Sequence, residues 1–258
     1  MPRVLLFVDL LGVRAAWQHG GRSEAESAFK AFRSLVAAAV EGRTREEILD
    51  GIIETDAMAL HCADTGTALD IGQNLYQMAF RQTATNNNKR PWLRGVIVPR
   101  VSELPLRRPT SLRAPLNQIS LMLYEPELFD AIAIEKSGIK GMRLLIDKDL
   151  LTAEVNSRQR LAIGRYSFIP FKRIHSGRYP REIAETHVDY FWMASSTAER
   201  RRELSRIMHL RLRLAAQDPE EFAQAAATQV AFLECEAIIG SLRTRQKYQD
   251  AKKAGRKH

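Results

Sequence analysis

An apolar run near the N-terminus, Val4–Val8, ends on Asp9-Leu10-Leu11-Gly12, and this ending constrains the chain more than any other stretch. A short aliphatic run of this kind reads as a buried strand. A carboxylate at its end is costly without a partner. A second acid, Asp56, stands between two strand-like runs, Ile48–Thr55 and Ala57–Cys62. The gap leaves room only for a tight turn, so the two runs form a hairpin. In an antiparallel sheet a strand end and a hairpin tip can lie side by side. Two carboxylates held there repel each other, and their proton affinity rises unless a cation sits between them. Mg²⁺ and Mn²⁺ suit such a place, because hard cations are held by one or two carboxylates together with substrate phosphates, and a pair of them can carry out phosphoryl chemistry. Taken singly, Asp9 reads as a turn or helix cap and Asp56 as a turn residue.

The other elements follow from periodicity. Ser23 and Glu26 have capping-box spacing, and Phe29, Phe32, Val36 and Val40 then predict a helix over 24–41. Asp64 can cap a second helix whose apolar face holds Leu69, Leu75, Tyr76, Ala79 and Phe80. Asn86–Pro91 breaks that helix, and Trp92–Val98 reads as a strand stopped by Pro99. Arg100, Arg107, Arg108 and Arg113, interleaved with Pro105, Pro109 and Pro115, predict a long basic loop. A short strand over Ile119–Tyr124, a helix over Glu125–Lys136 and a strand over Met142–Ile146 complete the order. Hairpin and helix connections alternating around one sheet predict an α+β fold with a ferredoxin-like core. Apolar stripes over 197–215, a helix start at Asp218-Pro219-Glu220-Glu221, and a face of Phe222, Ala226, Val230, Leu233 and Ala237 predict a C-terminal helical hairpin.

Charge and composition exclude several classes. The chain has 258 residues, 39 of them Lys or Arg against 30 Asp or Glu, for a net charge of +9. Seven of those basic residues fall in Arg243–His258 with Asp250 as the lone acid, so the rest of the chain carries only a small excess. That block reads as a solvated basic tail, or as a weak, salt-sensitive contact with nucleic acid. The aliphatic runs are far too short to cross a bilayer, and no secretory signal is visible. Cys62 and Cys235 lie far apart and read as free thiols in a reducing, cytoplasmic setting. His61, His175, His187 and His209 lack metal-ligand spacing. Neither a phosphate-loop nor a nucleophile-elbow motif occurs. Trp17, Trp92 and Trp192 read as core or interface anchors.

Three segments resemble one family. Phe7-Val8-Asp9-Leu10-Leu11-Gly12 is similar to the first metal motif of class III nucleotidyl cyclases. Glu54-Thr55-Asp56-Ala57-Met58-Ala59 resembles their second-aspartate hairpin, and Leu93-Arg94-Gly95-Val96-Ile97 the strand after the long helix. The Arg-Gly-x-Ile-like strand, with Ala131-Ile132-Ala133-Ile134-Glu135-Lys136 ahead of Arg143–Asp147, is most similar to the pyrimidine cyclases of bacterial Pycsar anti-phage systems. The likeness spans residues 4–147. Three departures stand out. Thr55 replaces a frequent Gly, Pro99-Arg100 stands where a Gly is expected, and no Asn-x-x-x-Arg pair follows on the helix.

With the change of character after 185 and the C-terminal charge block, the chain divides into a catalytic domain over 1–185, a helical extension over 186–242 and a basic, disordered tail over 243–258. The resemblance bears on the first of these. It implies cyclisation of a pyrimidine nucleoside triphosphate, UTP before CTP, with release of pyrophosphate. Asp9, Asp56 and the Leu10 carbonyl would hold two Mn²⁺ or Mg²⁺ ions. Arg94 and Arg100 would face the charge on phosphorus, and Phe7, Gly12, Thr55 and Lys140 would contact the nucleotide. It also implies a homodimer, and a separate effector protein that reads cUMP or cCMP in antiviral defence. A degenerate cyclase fold that binds nucleotide or nucleic acid and regulates a partner is the other reading that the departures allow.

Overall fold

The computed structural model describes residues 3–53, 56–85, 91–100, 131–133, 141–151, 168–170, 186–190, 192–193, 196–215 and 219–254. The first six elements are β1 (Val4–Leu11), α1 (Val13–Val40), β2 (Ile48–Ile53), β3 (Ala57–Cys62), α2 (Thr65–Thr85) and β4 (Trp92–Pro99). β5 (Arg143–Asp147), β6 (Phe168–Pro170), β7 (His187–Tyr190), α3 (Thr197–Leu214) and α4 (Pro219–Ala254) follow. One seven-stranded sheet runs in the order β2-β3-β1-β4-β5-β7-β6. β1 is antiparallel to both β3 and β4, and β2 is antiparallel to β3. A β-α-β-β-α-β order with that pairing is the ferredoxin-like arrangement. The fold is therefore α+β, as the element order predicts. β5 extends the sheet in parallel to β4, and β7 pairs antiparallel with β5.

The pleat of β1 divides the molecule. Val4, Leu6, Val8 and Leu10 point into the main core, where Phe32 and Val36 of α1 and Tyr76 and Phe80 of α2 cover them. Leu5 and Phe7 point to the opposite face, into a smaller cluster with Ala59, Val96, Val98 and Leu145. Asp9 continues this second row, since side chains alternate along a strand. Alternation thus sets Asp9 on the face away from α1 and α2.

Several expectations need correction. α1 is broken at Gly21, whose φ of 68° and ψ of -164° are non-helical: an unpredicted helical stretch from Val13 meets a second one that starts just after Gly21, close to the predicted start. Glu26 pairs with Arg22 at 2.6 Å. The Asp64 cap is present: its carboxylate accepts the Thr67 N–H at 2.9 Å. Trp92 and Trp192 are buried, but Trp17 is 55% exposed. The sheet runs on through β7 to Tyr190, past the expected boundary at 185, because Asp189 and its neighbours pair with β5. α4 continues through the basic block as helix as far as Ala254. Val230 and Leu233, predicted on the core face of α4, point outward; Ala225, Thr228, Ala231 and Phe232 fill that side instead. Of the segment Glu125–Lys136, Ala131–Ala133 is helical. The basic loop over 101–115, the predicted strand Ile119–Tyr124 and His175 lie outside the described residues.

The helical hairpin docks on the start of β5. The Gly141 N–H donates to Gln224 Oε1 at 2.7 Å, and the Met142 N–H to Thr228 Oγ1 at 2.9 Å. Trp192 stacks edge-on against Phe232, and its Nε1–H donates to the Met142 carbonyl at 3.3 Å. Gly141 has φ 86°, and a Cβ there would lie 2.8 Å from the Thr228 nitrogen. A left-handed backbone costs an L-residue about 1–2 kcal/mol before any collision is added. Gly141→Ala should therefore lower stability by about 2 kcal/mol or more in equilibrium urea unfolding. An unchanged midpoint would show that the hairpin tolerates separation from β5.

Candidate active site

Register builds the site. Asp9 pairs across the sheet with Ala57 on β3 and with Arg94 on β4. Arg94 pairs in turn with Arg143 on the parallel strand β5. Cross-strand partners share a face, so Ala57, Asp9, Arg94 and Arg143 form one row on the face away from α1 and α2. Asp56 immediately precedes Ala57, at the tip of the β2–β3 hairpin. Its backbone carbonyl accepts the Leu10 N–H at 2.7 Å, which ties the tip to the end of β1. The N–H and C=O of a strand residue point to the same edge, so the Leu10 carbonyl also faces the hairpin tip.

The electrostatics follow from this placement. Burial, reinforced by the neighbouring Asp56 carboxylate, pushes the Asp9 pKa up to about 7. Arg94 and the Leu10 N–H pull it back only in part. This is the signature of a carboxylate whose charge the protein alone does not balance. Among the described residues no three His, Cys, Asp or Glu side chains come together as a metal cluster. A cation at Asp9 and Asp56 would therefore draw its remaining ligands from the Leu10 carbonyl, water or a bound phosphate, the donor set that Mg²⁺ commonly accepts.

Gly12 follows β1 directly and caps α1 with φ 82° and no side-chain hydrogen bond. A Cβ there would meet no atom within 4 Å. Its conformation needs glycine, and the space in front of it is open. The first amide groups of α1 lie beside this space, and free helix-start amides favour anions.

Other predicted residues fall elsewhere. Phe7 sits two positions before Asp9 on the same face and is 7% exposed, packed with Ala59 and Val96. It is the apolar floor next to the acid. Arg100 stands six residues beyond Arg94, about 20 Å along the sheet at the usual rise per residue. There its N–H donates to the Arg3 carbonyl, and its charge acts on Asp50 and His61. The structure does not bring Arg100 to the acidic pair; it lies past the far end of β4, which holds it away. Thr55 and Lys140 lie outside the described residues. Cys62 is a buried free thiol, pushed up to about 12 by burial.

Sequence reasoning missed Arg143 and Asp189. Arg143 is fully buried and pairs with Asp189, which sits two positions along the neighbouring strand on the same face. A signal was available: each is a charge inside a short apolar run, the same pattern that singles out Asp9. The pairing itself depends on which distant strands become neighbours.

No protein-family profile matches the chain, and no curated protein matches it. One solved structure with a similar arrangement is the guanylyl cyclase Cya2. The match has a TM-score of 0.42 at 15% identity and covers 74% of this chain and 90% of that one. The fold assignment above rests on strand order and register.

A raised carboxyl pKa makes stability fall with pH. Below the unfolded value of 3.8 both states hold the proton; between there and about 7 only the folded state does, and above that the full cost of burying the charge applies. Asp9→Asn should therefore raise the thermal midpoint of the metal-free protein by several degrees at pH 8. The gain should shrink by pH 5. A gain that is equal at both pH values, or a loss at pH 8, would show that Asp9 is not ionised at a cost.

Proposed function

We propose that the protein is a nucleotidyl cyclase that converts a pyrimidine nucleoside triphosphate to a 3′,5′-cyclic nucleotide and pyrophosphate. The supporting observation is the convergence of Asp9 and Asp56, with Arg94 across the strand from Asp9. UTP ahead of CTP, action as a homodimer, and a role as a second-messenger source in anti-phage defence with a separate effector rest on the motif resemblance.

Asp9, Asp56 and the Leu10 carbonyl would hold the divalent ions. Bound Mg²⁺ or Mn²⁺ would supply activation of the ribose 3′-hydroxyl and neutralisation of the triphosphate. The chain's own residues do the rest. Arg94 places a fixed positive charge beside the acids, where charge develops on the transferred phosphorus and on leaving pyrophosphate. Phe7 and Val96 keep water from the Asp9 side of the sheet, so these charges act in a poorly screened environment. Gly12 leaves the start of α1 open, and the amides there can donate to the phosphate chain. Ring closure then requires the 3′-oxygen and the α-phosphorus to be held in line, which is a matter of positioning.

Incubation with each of the four nucleoside triphosphates and Mn²⁺ should yield a cyclic product and pyrophosphate from a pyrimidine substrate. Asp56→Ala should lower turnover by at least about 100-fold, the scale of losing a principal electrostatic group, with the circular dichroism spectrum unchanged. Undiminished turnover in this variant would remove Asp56 from the site. Mn²⁺ should also raise the thermal midpoint of the wild type and leave that of Asp9→Asn unmoved. Equal responses would place the ion elsewhere.

A further inference from the structure

The charged row does not stop at Arg94. Asp9, Arg94 and Arg143 are in register on β1, β4 and β5, and Asp189 lies on the next strand, β7. The signs run negative, positive, positive, negative across four neighbouring strands roughly 5 Å apart, with Asp189 set opposite Leu145, two positions along from Arg143. Arg94 therefore has an acid available on either side. Asp9 is one strand away, and Asp189 is two strands away beyond Arg143.

Asp189 is buried, and a buried carboxylate without a cation would draw one in. Arg143 meets that need through a direct ion pair. Its own position is firmly set. Its backbone carbonyl accepts the Tyr76 hydroxyl at 2.7 Å, and the preceding Met142 is held by Thr228 and Trp192. The charge of Arg94, by contrast, acts on Asp9.

We propose that the Arg143–Asp189 ion pair is a positioning device for Arg94. By occupying Asp189 and presenting a like charge to Arg94, Arg143 keeps the Arg94 guanidinium at the Asp9 end of the row. This rests on the reading of Asp9, Asp56 and Arg94 as the reacting end of the site. Neither Arg143 nor Asp189 is a catalytic residue on this account; both act through Arg94. The docking of α4 on Gly141 and Met142 then has a functional consequence, because the helical hairpin holds the strand that carries Arg143.

The test compares three variants. Arg143→Met leaves Asp189 buried without its partner, and Arg94 should turn away from Asp9 to pair with it. A crystal structure of this variant should place the Arg94 guanidinium within hydrogen-bond distance of Asp189, and kcat should fall about tenfold with KM changed far less, as for loss of a transition-state interaction. Arg143→Met combined with Asp189→Leu removes both charges. Such replacements of a buried pair are often tolerated, and kcat should return to within about twofold of wild type, since nothing then competes for Arg94. Arg143→Lys keeps the pair and should behave like the wild type. A purely structural pair would leave Arg94 beside Asp9 in Arg143→Met, with activity falling only in step with the thermal midpoint. Arg94 still beside Asp9 in Arg143→Met, or a double variant as impaired as the single one, would overturn the proposal. If Arg143→Met does not fold, Arg143→Gln takes its place: Arg94 turned to Asp189 in that crystal supports the proposal, and Arg94 still beside Asp9 overturns it. Should the wild type form no cyclic nucleotide, the proposed function fails by itself, and the position of Arg94 in the variant crystals still decides this inference.

Discussion

The pairing of β1 with β3 on one side and β4 on the other is the constraint on which the site depends. Both pairings are antiparallel and in register from Val4 to Asp9. A slip of one residue on either side would turn Asp9 toward α1 and α2 and bury a carboxylate in the main core. The apolar alternation along β1 excludes that slip, because Leu6 and Val8 have to face the helices while Leu5 and Phe7 face the other cluster. Hydrophobic burial thus fixes the position of the acid. The proximity of Asp56 then follows from the hairpin, whose tip is fastened to Leu10 by a backbone hydrogen bond.

The far face of the sheet is consequently ordered in rows. One row is charged, from the hairpin tip through Asp9 and Arg94 to Arg143. The next is apolar, running through Ala59, Phe7, Val96 and Leu145. A third passes through Asp50, His61, Leu5 and Val98, with Arg100 beyond its end. The apolar row separates the two polar ends. It explains why Arg94 on β4 and Arg100, just past the end of that strand, serve different surroundings. His61 in the third row is pushed down to about 4, mainly by burial and further by Arg100, so it stays neutral at physiological pH.

The legible parts of the fold were those governed by local pattern. Val4–Val8, the hairpin around Asp56 and the cap at Asp64 carry their signals within a few residues, and each appears in place. The element order was enough for the ferredoxin-like core, since short connections leave few arrangements. The capping spacing of Ser23 and Glu26 marks only the helical stretch after Gly21, and the stretch from Val13 to the break at Gly21 carried no signal that was read. The outward turn of Val230 and Leu233 was not visible either. Two adjacent apolar stripes on α4 compete for the core, and docking against Gly141 and Trp192 selects the one holding Thr228 and Phe232. In the site, Asp9 and Asp56 stood out as acids at the end of one apolar run and between two others, and Arg94 came from the motif resemblance. Arg143 and Asp189 could not be joined, because their contact depends on a parallel crossover and a late strand.

The central claim is that the carboxylates of residues 9 and 56 share divalent ions under a triphosphate. Anomalous diffraction from crystals soaked with Mn²⁺ and a non-cyclisable nucleoside triphosphate tests it most directly. The account predicts manganese peaks within coordination distance of both Asp9 and Asp56, with the phosphate chain completing the ligand set in front of Gly12. Peaks at neither acid, or at only one of them with the nucleotide bound elsewhere, would contradict it.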